Sequence, residues 1–173
     1  MKSAFRGLVG IAIMLALPTV VSAKGETTRI TIAGGTLANP IEITDANVVR
    51  AFQIWTGPGT NGCFGGNCVE GTEGFIVDWS SGAVAQRPSG LQRYEISFYV
   101  SHPFPALRGP ERLAYVVSYE YDPAASQGYV YLPGKGDQWF RLNAASIYRG
   151  REGNWFRATR AWQDAVVPLI AHR

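Results

Sequence analysis

The chain has 173 residues, of which 46% are hydrophobic and 17% charged, with a formal net charge of +3. That length fits one domain with a sizeable core. The small charge argues against a general nucleic-acid binder.

Residues 1–23 read as a secretory signal peptide. Lys2 and Arg6 give a positive start, Gly7 to Leu17 is an apolar run too short to span a bilayer comfortably, and Val21-Ser22-Ala23 supplies short residues before a cut. No cysteine follows that boundary, which speaks against a lipid anchor. Removal of Lys2 and Arg6 leaves a nearly neutral domain over residues 24–173. The expected location is periplasmic or extracellular. No later stretch is apolar and long enough to span a membrane.

Glu26 to Ala33 alternates as a strand, Gly34-Gly35 breaks it, and Pro40 to Ile43 returns. Thr44 or Asp45 then caps a short helix that buries Val48, Val49 and Phe52. Gly57 to Gly74 is a glycine-rich loop holding the two cysteines of the chain, Cys63 and Cys68. In an exported protein so close a pair reads as a disulfide. A metal site needs more ligands, and His102 and His172 are the only imidazoles, so no metal and no cofactor is expected. Gly57 to Gly62 formally matches GxGxxG, but it contains Pro58 and lacks a βαβ frame, which excludes a dinucleotide site.

Phe75 to Trp79 reads as another strand. Leu91 to Asn143 reads as an antiparallel meander of strands at Leu91–Val100, Leu113–Tyr121, Gly128–Leu132 and Gln138–Leu142, with turns at Asp122-Pro123 and Pro133 to Asp137. Ala145–Tyr148 and Asn154–Ala158 read as a hairpin around Arg149 to Gly153. Thr159 caps a last helix that buries Trp162, Ala165 and Val166 and stops at Pro168. The fold class expected is therefore α+β, a mostly antiparallel twisted sheet with two short helices.

Four segments carry a resemblance: Pro40 to Asp45, Phe52 to Gly59, Gly128 to Gly134, and Gly153 to Phe156. Together they resemble a group of uncharacterised secreted bacterial proteins. The resemblance implies export and a common fold; it carries over no activity and no site residue.

No GxSxG elbow, HExxH or P-loop is present. Glu95 and Glu120 occupy the polar register of neighbouring strands and are the candidate catalytic carboxylates of a small hydrolase; ordinary surface carboxylates are the commoner reading. The aromatics are a stronger signal. Tyr119, Tyr121, Tyr129, Tyr131 and Trp139 gather around two turns, with Lys135 and Asp137 as hydrogen-bonding neighbours. Exposed, they form a stacking surface for a glycan or small ligand; buried, they are core. Arg141, Arg149, Arg151, Arg157 and Arg160 read as a solvated face with local pairs such as Arg151 with Glu152. The expected function is a non-enzymatic binding module for a glycan, a small ligand or an envelope protein. The alternatives are the carboxylate-pair hydrolase and an interaction or inhibitor protein presenting the Cys63–Cys68 loop.

Overall fold

The computed structural model describes residues 25–60, 75–102, 106 and 109–171. In chain order the elements are β1 (Glu26–Gly34), β2 (Ile41–Ile43), α1 (Ala46–Ala51), β3 (Arg93–Ser101), β4 (Arg112–Asp122), β5 (Gln127–Tyr131), α2 (Phe140–Ser146), β6 (Trp155–Arg157) and α3 (Arg160–Ala171). The six strands form one antiparallel sheet in the order β2-β1-β3-β4-β5-β6. This is the α+β, mostly antiparallel class that the alternation implies. The expected leader segment, both cysteines and His172 lie outside the described residues.

The strand alternation sorts the side chains into two faces. Register pairs Ile30 with Ile43 and Phe98, Ile96 with Ile32 and Val117, and Tyr119 with Tyr94 and Val130. These residues make one continuous apolar face, fully enclosed at its centre. Phe52, Ile54, Phe75, Trp162 and Val166 cover it. Asp45 caps α1, its side chain accepting from the N–H groups of Asn47 at 2.9 Å and Val48 at 3.1 Å.

The structure corrects four sequence expectations. Gln138–Leu142 is not a fourth meander strand: α2 begins at Phe140, so the described residues hold three helices rather than two. The Asp137 carboxylate accepts from Gly134 N–H at 2.7 Å and the Asp137 carbonyl accepts from Phe140 N–H at 3.3 Å, which turns the chain into a helix. The helix is then fixed by Asn143, whose side chain accepts from Val116 N–H at 2.8 Å and donates to Val116 carbonyl at 2.6 Å. It takes the place of a strand along the β4 edge beyond the end of β5.

Phe75–Trp79 is not a strand but supplies a single bridge, Val77 to Ala158. Asp78 accepts from Ser80 N–H and from the Ser80 and Ser81 hydroxyls, and that local turn ends the extended run. The hairpin around Arg149 to Gly153 does not form. The second arm pairs with β5 instead, through Leu132 N–H to Asn154 carbonyl at 3.1 Å and the β6 register. Finally, Pro168 lies inside α3, which runs on to Ala171 because Ile170 is buried in the core.

Gly128 has to be glycine: a Cβ there would lie 2.6 Å from the Tyr119 hydroxyl oxygen and 3.0 Å from Ala158 Cβ. The Tyr119 ring therefore packs directly on the β5 backbone. Burial pushes its phenol pKa above the ordinary value, with Tyr121 and Tyr94 adding to the shift, and its hydroxyl has no hydrogen-bond partner among the described residues. The unfolded chain releases this proton near pH 10 while the native state retains it, so stability falls as pH rises beyond about 10. Tyr119→Phe is expected to flatten that alkaline loss. At pH 7 it should unfold with about 1 kcal/mol more free energy than the parent, because an unsatisfied buried hydroxyl is removed. Urea titrations at pH 7 and pH 11 read both effects.

Candidate functional site

The opposite face of the sheet carries the polar and half-buried aromatic side chains. Two rows define it. One runs Glu95, Ser118, Tyr131, Trp155 across β3, β4, β5 and β6; the other runs Arg93, Glu120, Tyr129, Arg157. The Tyr131 and Trp155 rings pack with centroids 5.1 Å apart and planes 34° apart, both partly exposed. The Tyr131 hydroxyl donates to Asp137 at 2.8 Å. Burial, then this hydrogen bond, keeps the phenol pKa above its ordinary value, so it stays a donor. Trp139, just before α2, donates its indole N–H to Glu95 at 2.7 Å. Lys135 is exposed on the turn that holds Asp137.

Residues 84–91 rise along this face after β6 captures the chain by a bridge from Ala83 to Phe156 and a bond from Val84 N–H to Trp155 carbonyl at 2.8 Å. Between that segment and the sheet lies an open groove of about 890 Å³, with Arg87, Arg93, Glu120 and Trp155 in its lining. Its size is that of a small-ligand site and its openness that of a groove rather than a closed pocket. Glu120 forms the floor, only 2% exposed, and is held by Arg87 NH1 and by Arg93 Nε at 2.9 Å. The Arg87 guanidinium lies 3.9 Å from the Trp155 ring centroid and the Arg93 guanidinium 5.7 Å from it, within cation–π range.

The sequence-predicted site residues divide between the faces. Tyr131, Trp139, Lys135 and Asp137 come together. Tyr129 shares their face but is buried. Tyr119 is enclosed in the core, and Tyr121 lies on the core side of β4, packed against that cluster. Neither belongs to a ligand surface with Tyr131. The residues that sequence reasoning left out of the site are Arg87 and Arg93. Trp155 and Arg157 alternate with the buried Phe156, a pattern that marks a second exposed face, but the strand that receives it is set by tertiary pairing.

Glu95 and Glu120 do share one face, in adjacent rows. Their surroundings are those of positioned anions: Glu120 faces two guanidiniums, and Glu95 accepts from the Trp139 indole and the Ser97 hydroxyl. A general acid or base must reach the proton it moves. Glu120 lies beneath Arg87 and Arg93, paired with both.

The expected arginine face is not uniform. Arg149 is 4% exposed, and Glu152 binds the backbone N–H groups of Arg149 and Arg151 instead of the Arg151 guanidinium. Arg160 pairs with Asp164 one turn along α3. Elsewhere a cleft of about 590 Å³ lies at Thr27, Gln53 and Trp55, beside Gly25 where the described chain starts. Among the described residues no cluster of histidine, cysteine and carboxylate side chains is placed to hold a metal ion, and no helix is long and apolar enough to cross a membrane. No family model matches the chain, and no curated protein and no solved structure matches it.

Proposed function

We propose that this is an exported, non-enzymatic binding module whose ligand is a glycan, held on the sheet face formed by Tyr131, Trp139 and Trp155. The observation that carries the reading is the partly exposed Tyr131–Trp155 ring pair, set beside an open groove and ringed by hydrogen-bonding side chains. A sugar ring has an apolar face and a polar rim. Rigid aromatic side chains offer contact area to the first at low entropic cost, and Asp137, Glu95 and the two guanidiniums match the second. An open groove suits a chain of sugars better than a single small molecule. The leader read from the sequence supports delivery to the compartment where such polymers lie.

Trp155→Ala is expected to weaken binding to envelope polysaccharide oligomers at least ~10-fold, corresponding to the ~1.4 kcal/mol expected of one aromatic contact. Isothermal titration against fragments of peptidoglycan, capsule and lipopolysaccharide core measures it. The thermal unfolding profile of the variant confirms that the fold is kept. Failure of every oligomer to bind the parent protein overturns the reading.

A further inference from the structure

We infer that the groove selects glycans bearing carboxylate groups, that is, uronic-acid-containing chains. This rests on the binding reading above and assigns the ligand class of the same face. Three charged side chains line the groove: Arg87, Arg93 and Glu120. Glu120 lies on the floor with its side chain 3% exposed, whereas the Arg87 side chain is 23% and the Arg93 side chain 60% exposed. A ligand entering the groove therefore meets guanidinium groups, and the single acid beneath them offsets one of the two positive charges.

The guanidiniums are held where a ligand on the aromatic strip reaches them. Arg93 uses Nε toward Glu120, and Arg87 uses NH1 toward Glu120 and the Pro88 carbonyl. In both residues the NH2 group, and in Arg93 also NH1, is left out of these contacts. Both guanidiniums lie within 6 Å of the Trp155 ring, Arg87 stacked over it at 3.9 Å and Arg93 at 5.7 Å, so a sugar residue packed on the part of the Tyr131–Trp155 pair that Arg87 leaves uncovered lies within reach of both. Glu120 fixes the pair in advance, which lowers the ordering cost that exposed arginines otherwise bear on binding. Planar, forked donors match a carboxylate geometrically, and such charge-assisted bonds are stronger than neutral ones. Arg157, at the far end of the same row, adds positive charge to that end of the face. A neutral glycan gains the stacking contact and ordinary hydrogen bonds to the polar rim; a uronate gains, in addition, charge-assisted forked bonds to the arginine pair.

The test is isothermal titration of the protein with oligouronates of several linkage types, each against its carboxyl-reduced neutral counterpart of equal length. At least one acidic oligomer is expected to bind ~10-fold or more tightly than its reduced form, a preference that shrinks as salt is raised. Arg93→Gln is expected to weaken binding of the acidic oligomer far more than that of its reduced form, so that most of the preference is lost. Arg93→Lys, which keeps the charge but loses the fork, should restore only part of it. Equal binding of acidic and reduced forms overturns the inference and leaves the glycan reading standing. Tighter binding of a sulfated oligomer that lacks uronic acid than of any uronate also overturns it. Absence of binding by every acidic and neutral oligomer overturns the inference and the glycan reading together.

Discussion

Arg149→Met is expected to lower the free energy of unfolding by about 3–5 kcal/mol, more than any surface change in the protein. Arg149 is a charge taken into the core, and what it does there is hold a loop. Its NH1 donates to the Thr56 carbonyl at 2.8 Å and the Pro58 carbonyl at 3.1 Å, its NH2 to the Ile54 carbonyl at 2.7 Å, and its Nε to the Tyr115 hydroxyl at 3.1 Å. The guanidinium also lies over Phe75, with 4.5 Å to the ring centroid, and 5.2 Å from the ring centroids of Trp79 and Tyr115. Burial pushes its pKa down, and the Tyr115 hydroxyl and Glu152 oppose the shift; arginine remains charged at neutral pH.

Residues 54–58 have no strand partner, so one side chain satisfies carbonyls that otherwise stay buried and unpaired. The chain approaches closely enough that Gly59 has no alternative: with φ at +75°, a Cβ there would lie 2.1 Å from the Tyr148 carbonyl oxygen. Methionine restores the volume and none of the hydrogen bonds. Arg149→Lys keeps the charge but reaches fewer carbonyls, so it should lose most of the same energy. Chemical denaturation reads both variants. A domain of this size has roughly 5–15 kcal/mol in hand, so a loss of this size is visible as a large shift of midpoint; a loss below about 1 kcal/mol contradicts the role.

Trp162→Ala is expected to cost about 3–5 kcal/mol, through lost burial and the cavity left behind. Trp162 is fully buried and joins three elements: its ring meets Phe52 at 5.0 Å edge-on and Tyr119 at 6.2 Å edge-on. It is the largest side chain that α3 inserts into the core, supported a turn later by Val166 and then Ile170. Because Pro168 gives the α3 ladder no N–H, the last turn leans more heavily on that packing. Hydrogen exchange should therefore show α3 opening first in the variant, while β3 and β4 keep their protection. Trp162→Phe retains an edge-on ring and should cost about 1–2 kcal/mol.

The central strands are legible in the sequence because one face is apolar and the other is not. Tyr94, Ile96, Phe98 and Val100 alternate with Arg93, Glu95 and Ser97, and the structure pairs them as alternation demands. The cap at Asp45 is legible for a similarly local reason, a short acceptor ahead of Val48, Val49 and Phe52. What fails is whatever a distant segment decides. The helix α2 is anchored by Asn143, a polar residue that carries no hydrophobic periodicity and finds its partner on Val116 across the fold. Arg149 sits beside Gly150 in a charged stretch and has the local appearance of a surface turn; its acceptors lie at residues 54–58 and 115.

The aromatic cluster shows the same limit within one sheet. Tyr119 and Tyr131 are both odd-numbered, yet the β4–β5 register pairs Ser118 with Tyr131, so the two rings face opposite sides. Alternation says which residues share a face within a strand; the turn between strands says which faces match. The proposed ligand face combines Tyr131 with Trp155 and with two arginines from elsewhere in the chain, and only the fold brings them together.

The most direct test of the binding face is a 15N NMR titration that follows the indole N–H signals of the five tryptophans as the acidic and neutral oligosaccharides are added. The structure places Trp139 and Trp155 on the proposed surface, Trp162 in the core and Trp55 at the separate cleft. Saturable shifts of the Trp155 and Trp139 signals, with Trp162 unmoved, are the expected result. Signals of Trp155 and Trp139 that stay in place while Trp55 moves, or that stay in place with every oligosaccharide, contradict the account.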